Sequence, residues 1–313
     1  MKYEHIPVML TEALEYLKPG PGKNFVDCTL GGGGYTFAIA KMVGEGGMVL
    51  AIDADDMAIE NARIKIKEKK LKNIKIIKDN FRNLSDIVKN NCGEIKFDGI
   101  VMDLGLSSAQ LGDRNRGMSF QFDTPLNMSF GEKSECSTLE IVNNYNEKNL
   151  ENIIKNYGEE RFARQISRAI VGVRKNKSIK TTGELLKIIE SAVPFQYKQG
   201  KIHFATRTFQ ALRIETNKEL ENLRMVLENS PDLLRSNGRI VVVSYHSLED
   251  RIVKHFFKEK TKDCICPSEA PICRCAHKAE LRIITKKIIT PTEEEIKKNN
   301  RARSAKMRVA EKI

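Results

Sequence analysis

The chain has 313 residues, enough to bury one large core or a core with an inserted unit. At 41% hydrophobic and 30% charged it does not read as disordered, and no run approaches the ~18 apolar residues that spanning a bilayer requires. The 53 Lys and Arg against 41 Asp and Glu leave a net charge of +12. That excess points to an anionic partner, because clustered cations release counterions from phosphate; a Lys-rich protein that is basic without such a partner is the plainer reading of the same number.

The opening residues Met1-Lys2-Tyr3-Glu4-His5 lack the apolar core of a signal peptide, so a cytoplasmic location with the seven cysteines reduced is expected. Asn24–Asp27 reads as a strand, followed by a Gly-rich turn and an apolar helix through Ala38, Ile39, Met42 and Val43. Met48–Asp53 is a second strand, with a helix from about Met57 to Lys69 behind it. Ile74–Ile77 is a third, before a helix near Leu84–Val88, and Phe97–Asp103 is a fourth. Strands alternating with helices specify a parallel sheet with right-handed crossovers. From Ser137 to Phe209 the pattern is helical without a strand. The sheet rhythm then returns with a helix near Glu219–Leu227 and the strand Arg239–Ser244, and Leu281–Ile289 alternates like an antiparallel edge strand. We therefore expect an α/β fold built from residues 1–110 and 210–313, interrupted by a mainly helical insertion over 111–209.

The first strand runs into Asp27-Cys28-Thr29-Leu30-Gly31-Gly32-Gly33-Gly34-Tyr35-Thr36. Four glycines let the backbone approach a ligand closely, with the N–H groups of the next helix at hand. A dinucleotide fingerprint calls for glycine where Thr36 stands, which disfavours a nicotinamide dehydrogenase. Asp53 ends the second strand, where a carboxylate accepts hydrogen bonds from ribose hydroxyls. Phe81 follows the third strand and can pack on adenine, although core packing is the ordinary reading of one phenylalanine. Asp103 ends the fourth. Ligands of open α/β sheets bind beyond the carboxyl ends of the strands, so these three residues are expected to converge.

Longer words then carry a resemblance: His5-Ile6-Pro7-Val8-Met9-Leu10, Asp103-Leu104-Gly105-Leu106-Ser107-Ser108 with Gln110 beyond, and Tyr157-Gly158-Glu159-Glu160-Arg161-Phe162-Ala163. Further on stand Ala205-Thr206-Arg207-Thr208-Phe209-Gln210-Ala211-Leu212-Arg213-Ile214, Ser244-Tyr245-His246-Ser247-Leu248-Glu249-Asp250-Arg251 and Arg301-Ala302-Arg303-Ser304-Ala305. Over essentially its whole length the sequence resembles the ribosomal RNA small subunit methyltransferase H family, also called MraW. The family methylates N4 of a decoding-site cytidine in 16S rRNA. The resemblance implies a class I S-adenosylmethionine (SAM)-dependent methyltransferase with a Rossmann-like sheet and an inserted helical substrate-recognition domain. It also implies cofactor contacts from Gly33, Gly34, Tyr35, Asp53, Phe81, Asp103 and Gln110, and a partner in the 16S rRNA of the small ribosomal subunit. The sequence departs from the family at Gly32 and Tyr35, where Arg or Lys and His are usual. It departs again at Asn127 and Ser129, where Asp and Arg are usual, and at Phe204 and Asn300, where Pro is usual. Such departures suit a divergent second copy, and they leave methylation of another RNA nucleotide, or a non-catalytic RNA-binding assembly factor, as alternatives.

The exocyclic amine of cytosine is a weak nucleophile, so a nearby acceptor must hold its N–H groups and take the proton as the methyl transfers. Asp103 is the candidate acceptor, with Ser107 and Ser108 as orienters, although cofactor binding is its competing and favoured role. His246, just past the fifth strand, is either a proton relay or a structural hydrogen-bonding residue. The target base must leave its stack to reach such a pocket.

For RNA contact, a helix from Glu159 to Lys175 is expected to place Arg161, Arg164 and Arg168 on one stripe and apolar residues on another. Arg207 and Arg213 follow where the chain re-enters the core. From Arg282 to Ile313 ten Lys or Arg face four Glu, and this tail, with Arg301, Arg303, Lys306 and Arg308, is the second candidate surface. Cys264, Cys266, Cys273 and Cys275 form two C-x-C pairs that either hold a structural zinc or are free thiols.

Overall fold

The computed structural model describes residues 7–106, 108–113, 116–131, 136–267 and 272–313. His5 and Ile6 of the opening motif, and Ser107, therefore lie outside the described residues, as do the side chains of Ser108 and Ala109. The described residues divide into two compact units, one from residues 1–105 with 220–313 and one from Leu106–Glu219.

The first unit is built on a seven-stranded sheet: β1 (Asn24–Asp27), β2 (Met48–Asp53), β3 (Ile74–Lys78), β4 (Phe97–Asp103), β5 (Leu234–Ser244), β6 (Leu281–Ile283) and β7 (Lys306–Lys312). Its spatial order is β3-β2-β1-β4-β5-β7-β6, with the first five strands parallel and β7 antiparallel to both neighbours. This is the Rossmann-like sheet that the resemblance implies, with an antiparallel strand next to one edge.

The strands read as nearly unbroken apolar runs because both faces are covered. Alternate side chains serve alternate cores. Val26, Leu50, Ile52, Ile100, Met102 and Val242 enter one cluster with Phe256 and Phe257. Phe25, Val49, Val101, Val241 and Val243 enter another with Leu17 and Ile39.

Two expectations fail at the far edge. The predicted edge strand over Leu281–Ile289 is regular only over Leu281–Ile283. The basic tail, expected to face RNA, instead supplies the inner strand β7. Met307 and Val309 are fully buried, and the charged residues between and beyond them are paired inside the protein. Arg308 makes two bonds to Asp250, at 2.7 and 3.2 Å, and Glu311 accepts from Arg239 at 2.9 Å and from Arg282. Arg308 is thus a structural residue, not a free phosphate ligand. Replacing Arg308 with Ala leaves Asp250 largely uncompensated in a mostly buried site, so a loss of about 3 kcal/mol in urea unfolding is expected. An RNA-binding role alone leaves unfolding unchanged.

The second unit is helical, over Thr138–Asn144, Glu147–Gly158, Ala163–Arg174, Thr182–Ala192 and Thr206–Asn217, with two shorter helices at Ser108–Gly112 and Phe195–Lys198. Capping boxes start two of them, Ser137 with Glu140 and Thr181 with Glu184, each satisfying two orphan N–H groups. Ile141, Leu150, Ile154, Ile166, Ile170, Leu185, Ile189, Phe209 and Leu212 share its core. The unit begins at 106 and ends at 219, rather than at 111 and 209 as the pattern suggested. Helix Thr206–Asn217 turns Phe209, Ala211 and Leu212 into this core and so belongs wholly to it. The helix expected from Glu159 begins only at Ala163: Glu159 sits at φ 50°, which ends the preceding helix.

Candidate active site

The rim at the carboxyl ends of β1, β2, β4 and β5 is held by register: Asp27 pairs with Ala51 and Val101, and Asp103 with Val243. The glycine turn leaves β1 across this rim. Gly33 has φ +81°, and a Cβ there would lie 2.2 Å from the Phe37 ring; one on Gly34 would lie 2.6 Å from Pro7. Only glycine fits either position. The turn delivers Gly34 as the first residue of helix Gly34–Val43, whose leading N–H groups have no partner within the helix.

Buried side chains lock the turn. Asp27 accepts from Thr36 Oγ1 at 2.6 Å and Thr29 N at 3.0 Å. Thr29 Oγ1 in turn accepts from Asp103 N at 2.7 Å. Asp53 Oδ2 accepts from Gly31 N at 2.7 Å and its Oδ1 from Asp55 N at 2.9 Å. The Asp53 carbonyl accepts from Asp79 N at 3.0 Å, so the ends of β2 and β3 are tied together. One hydrogen-bonded path therefore joins Asp103 to the turn and another joins Asp53 to it.

Asp27, Asp53 and Asp103 have no cationic partner among the described residues. Burial pushes Asp53 up to about 6, partly offset by its two backbone donors, and Asp55 and Asp27 add repulsion. Burial pushes Asp103 up to about 7; the Tyr245 hydroxyl, donating at 2.7 Å, pulls it back, while Asp27, Glu249 and Glu295 push it further. Burial also raises Asp27. A rim crowded with uncompensated carboxylates favours a ligand carrying positive charge.

Tyr245 is the functional candidate that the sequence reading missed. It follows the end of β5, its hydroxyl grips Asp103, and its ring lies 3.1 Å from where a Cβ on Gly105 would stand. Parallel neighbours that pair Asp103 with Val243 bring the residues just beyond onto one rim, so the signal was present in the strand ends.

This pairing makes pH behaviour testable. Asp103 has its folded pKa above its unfolded value of 3.8, so its contribution favours the fold at low pH and is lost as pH rises through about 7. Asp103 and Asp53 are half-buried, so solvent screens part of the penalty. Tyr245→Phe removes a donor to the charged form and should move the Asp103 titration, followed by NMR of labelled carboxyl carbons, to higher pH. A midpoint that stays in place or falls refutes the coupling.

The other expected residues are placed as follows. Phe81 opens a 3-10 turn after β3, half-buried, with its ring partly taken up by the core. Tyr35 is a correction: its ring is buried beside Val8 and Ile39 and its hydroxyl donates to the Val8 carbonyl, so only its backbone N–H is left to meet a ligand. His246 is the N-cap of helix Ser247–Lys260; its Nδ1 accepts from Glu249 N at 3.4 Å while Glu249 reaches back to the His246 and Tyr245 N–H groups. Its Nε2 lies 3.2 Å from Glu249 Oε1, within ion-pair distance but without the alignment of a hydrogen bond. The capping role is therefore in place.

Residues 2–313 match the MraW methylase family. The chain is 49% identical over 311 residues to ribosomal RNA small subunit methyltransferase H of Caldicellulosiruptor saccharolyticus, covering 99% of this chain and 100% of that one. It is 45% identical to the protein of the same name from Finegoldia magna and 43% identical to that from Clostridioides difficile, with 100% of both chains covered in each case. The chain belongs to the MraW methylase family.

Other sites expected of an MraW protein fall in the helical unit and near the end of the chain. Gln110 lies buried on helix Ser108–Gly112. Ser129, at one of the departures from the MraW pattern, is buried with its hydroxyl donating to the Gly131 carbonyl. Arg161 lies in the turn before helix Ala163–Arg174, stacked 4.8 Å from the Phe162 centroid and 4.7 Å from that of Tyr197. Arg164 is exposed; Arg168 is exposed and 3.7 Å from Glu147. Arg207 reaches the Glu159 carbonyl at 3.4 Å. Arg213 is a correction, since it forms a mostly buried two-bond pair with Glu219 at 2.8 and 2.9 Å and is committed inside the protein. Arg301 and Arg303 lie exposed on the 3-10 turn before β7. Among the described helices none is long and apolar enough to cross a membrane.

Proposed function

We propose that the chain transfers a methyl group from S-adenosylmethionine to N4 of a decoding-site cytidine in the 16S rRNA of the small ribosomal subunit. The observation that carries this reading is the set of carboxylates with no cationic partner among the described residues at one rim of the sheet, beside a glycine turn that only glycine can form. The donor set fits the cofactor. Each Asp53 oxygen already accepts one backbone N–H and keeps a lone pair for a ribose hydroxyl. Bound S-adenosylmethionine supplies a methyl group made electrophilic by a sulfonium centre.

Within that reading, Asp53 holds the ribose and the leading N–H groups at Gly34 and Tyr35 meet the polar end of the ligand. Asp103 has two compatible tasks, attracting the positive end of the cofactor and accepting a proton from the cytidine amine, and Tyr245 keeps its carboxylate aimed. A carboxylate that titrates near neutrality is suited to the second task. The exposed residues Arg161, Arg164, Arg301 and Arg303 are the candidates for phosphate contact. No step calls on the four-cysteine cluster, a candidate structural zinc site.

The test uses labelled S-adenosylmethionine with small subunits from a strain lacking this activity, followed by nucleoside mass spectrometry. N4-methylcytidine at the decoding site is expected. Label in another nucleoside overturns the cytidine assignment, and cofactor binding without any methylated nucleoside favours the assembly-factor reading.

A further inference from the structure

Between helix Ser247–Lys260 and β6 runs a stretch from Thr261 to Ala279 with no helix or strand among its described residues. Its base is closed: Glu280 N donates to the Lys260 carbonyl at 2.8 Å, and Lys260 Nζ meets Glu280 Oε1 at 2.8 Å. Loops this long without regular structure are uncommon in compact domains unless something internal holds them. Among its described residues the large apolar side chains point outward, Ile265 at 44% and Ile272 at 69% exposed, rather than packing into a core of the loop's own.

Four cysteines gather instead. The Sγ atoms of Cys264, Cys266, Cys273 and Cys275 all lie within 4.8 Å of one another. Cys264 and Cys273 are 3.4 Å apart, Cys273 and Cys275 3.6 Å, and Cys264 and Cys275 3.7 Å. A tetrahedral zinc with bonds of ~2.3 Å sets its sulfurs about 3.8 Å apart, and a disulfide requires about 2.05 Å. All seven cysteines are free thiols, so the four are gathered without being bonded. Backbone donors complete the picture: Ile265 N points at Cys275 Sγ, Cys266 N at Cys264 Sγ and Arg274 N at Cys266 Sγ, each at 3.4 Å. Such N–H groups stabilise thiolate rather than thiol, as metal ligands require. The nearby His277 is turned away, its Nε2 3.2 Å from the Glu259 carbonyl, so the ligand set is four sulfurs.

We infer that these cysteines bind one zinc ion as a closed structural site. Binding replaces the thiol protons of four cysteines with four Zn–S bonds and releases the protons to solvent, with no change of oxidation state. With all four positions filled by protein, no site is left for substrate or activated water, so the ion serves the loop and leaves the chemistry at Asp103 untouched. A soft, tetrahedral sulfur set suits zinc, and magnesium or calcium, which demand oxygen, are disfavoured.

Protein purified without chelator should carry about one zinc per chain by elemental analysis. Replacement with Co²⁺ should give the intense sulfur-to-cobalt absorption of a tetrahedral thiolate site. The Cys264→Ser, Cys273→Ser double variant should lose the metal, while Cys92→Ser, which alters a cysteine outside the cluster, keeps it. Hydrogen exchange over residues 261–279 should quicken when a strong chelator strips the wild-type protein, with β1 to β4 unchanged and S-adenosylmethionine affinity within about twofold. Less than half an equivalent of zinc, zinc retained by the double variant, or intact disulfides in this cluster by mass spectrometry overturns the inference. None of these readouts depends on which nucleotide is methylated.

Discussion

Asp103→Asn should lower the single-turnover rate of methyl transfer by roughly 10²- to 10⁴-fold, the scale of losing a positioned general base. Asn retains the size of Asp103 and a carbonyl to accept the Tyr245 hydroxyl, so folding should survive; urea unfolding checks this. The substitution removes negative charge from a rim where Asp27, Glu249 and Glu295 already repel it, so the variant should be no less stable near neutral pH than the wild type. Calorimetry separates the two tasks assigned to the carboxylate. If the rate falls while the S-adenosylmethionine Kd changes less than about threefold, Asp103 is the acceptor. A Kd that rises in proportion to the loss of rate gives it to the cofactor alone. An unchanged rate together with an unchanged Kd removes Asp103 from the site.

Asp53→Ala should weaken S-adenosylmethionine by at least about 30-fold. Hydrogen bonds to a charged acceptor contribute ~1.5–3 kcal/mol each, and the ribose offers two hydroxyls. The Gly31 and Asp55 N–H groups lose their acceptor too, so the turn should loosen as well. At saturating cofactor the single-turnover rate should recover to within about fivefold, because Asp53 touches no reacting atom. A Kd within threefold of wild type refutes the assignment. The cofactor affinities of both variants are read by calorimetry without RNA, so a mistaken nucleotide assignment does not confuse that part of either test.

Much of the core was legible because its strands are buried on both faces and end in punctuation. Val49-Leu50-Ala51-Ile52 between Met48 and Asp53 has few other readings, and Asp27, Asp53 and Asp103 mark three strand ends on one rim. β7 was illegible for the opposite reason. Lys306 and Arg308 looked like part of a basic, RNA-facing tail, and only Asp250, 58 residues before Arg308, makes Arg308 tolerable in a sheet. Arg213 was misread in the same way, because Glu219 six residues later claims its guanidinium. Tyr35 was expected at the ligand from the family resemblance; its hydroxyl is instead committed to the Val8 carbonyl, a partner 27 residues earlier that no local pattern pairs with it. Charge and aromaticity mark what a side chain can do, but long-range partners decide what is left for it to do.

The interruption between β4 and β5 has a kinetic cost. These strands are neighbours, yet paired residues such as Asp103 and Val243 are 140 positions apart. Bringing such distant segments together is entropically slow unless the intervening chain has already contracted. The helical unit closes its core with residues 106–219 alone, a shorter span than the one between β4 and β5, so it should condense first and shorten the tether. A lesion deep in that unit, such as Ile154→Ala, should then delay recovery of cofactor binding on refolding even though Ile154 lies outside the methyl-transfer rim.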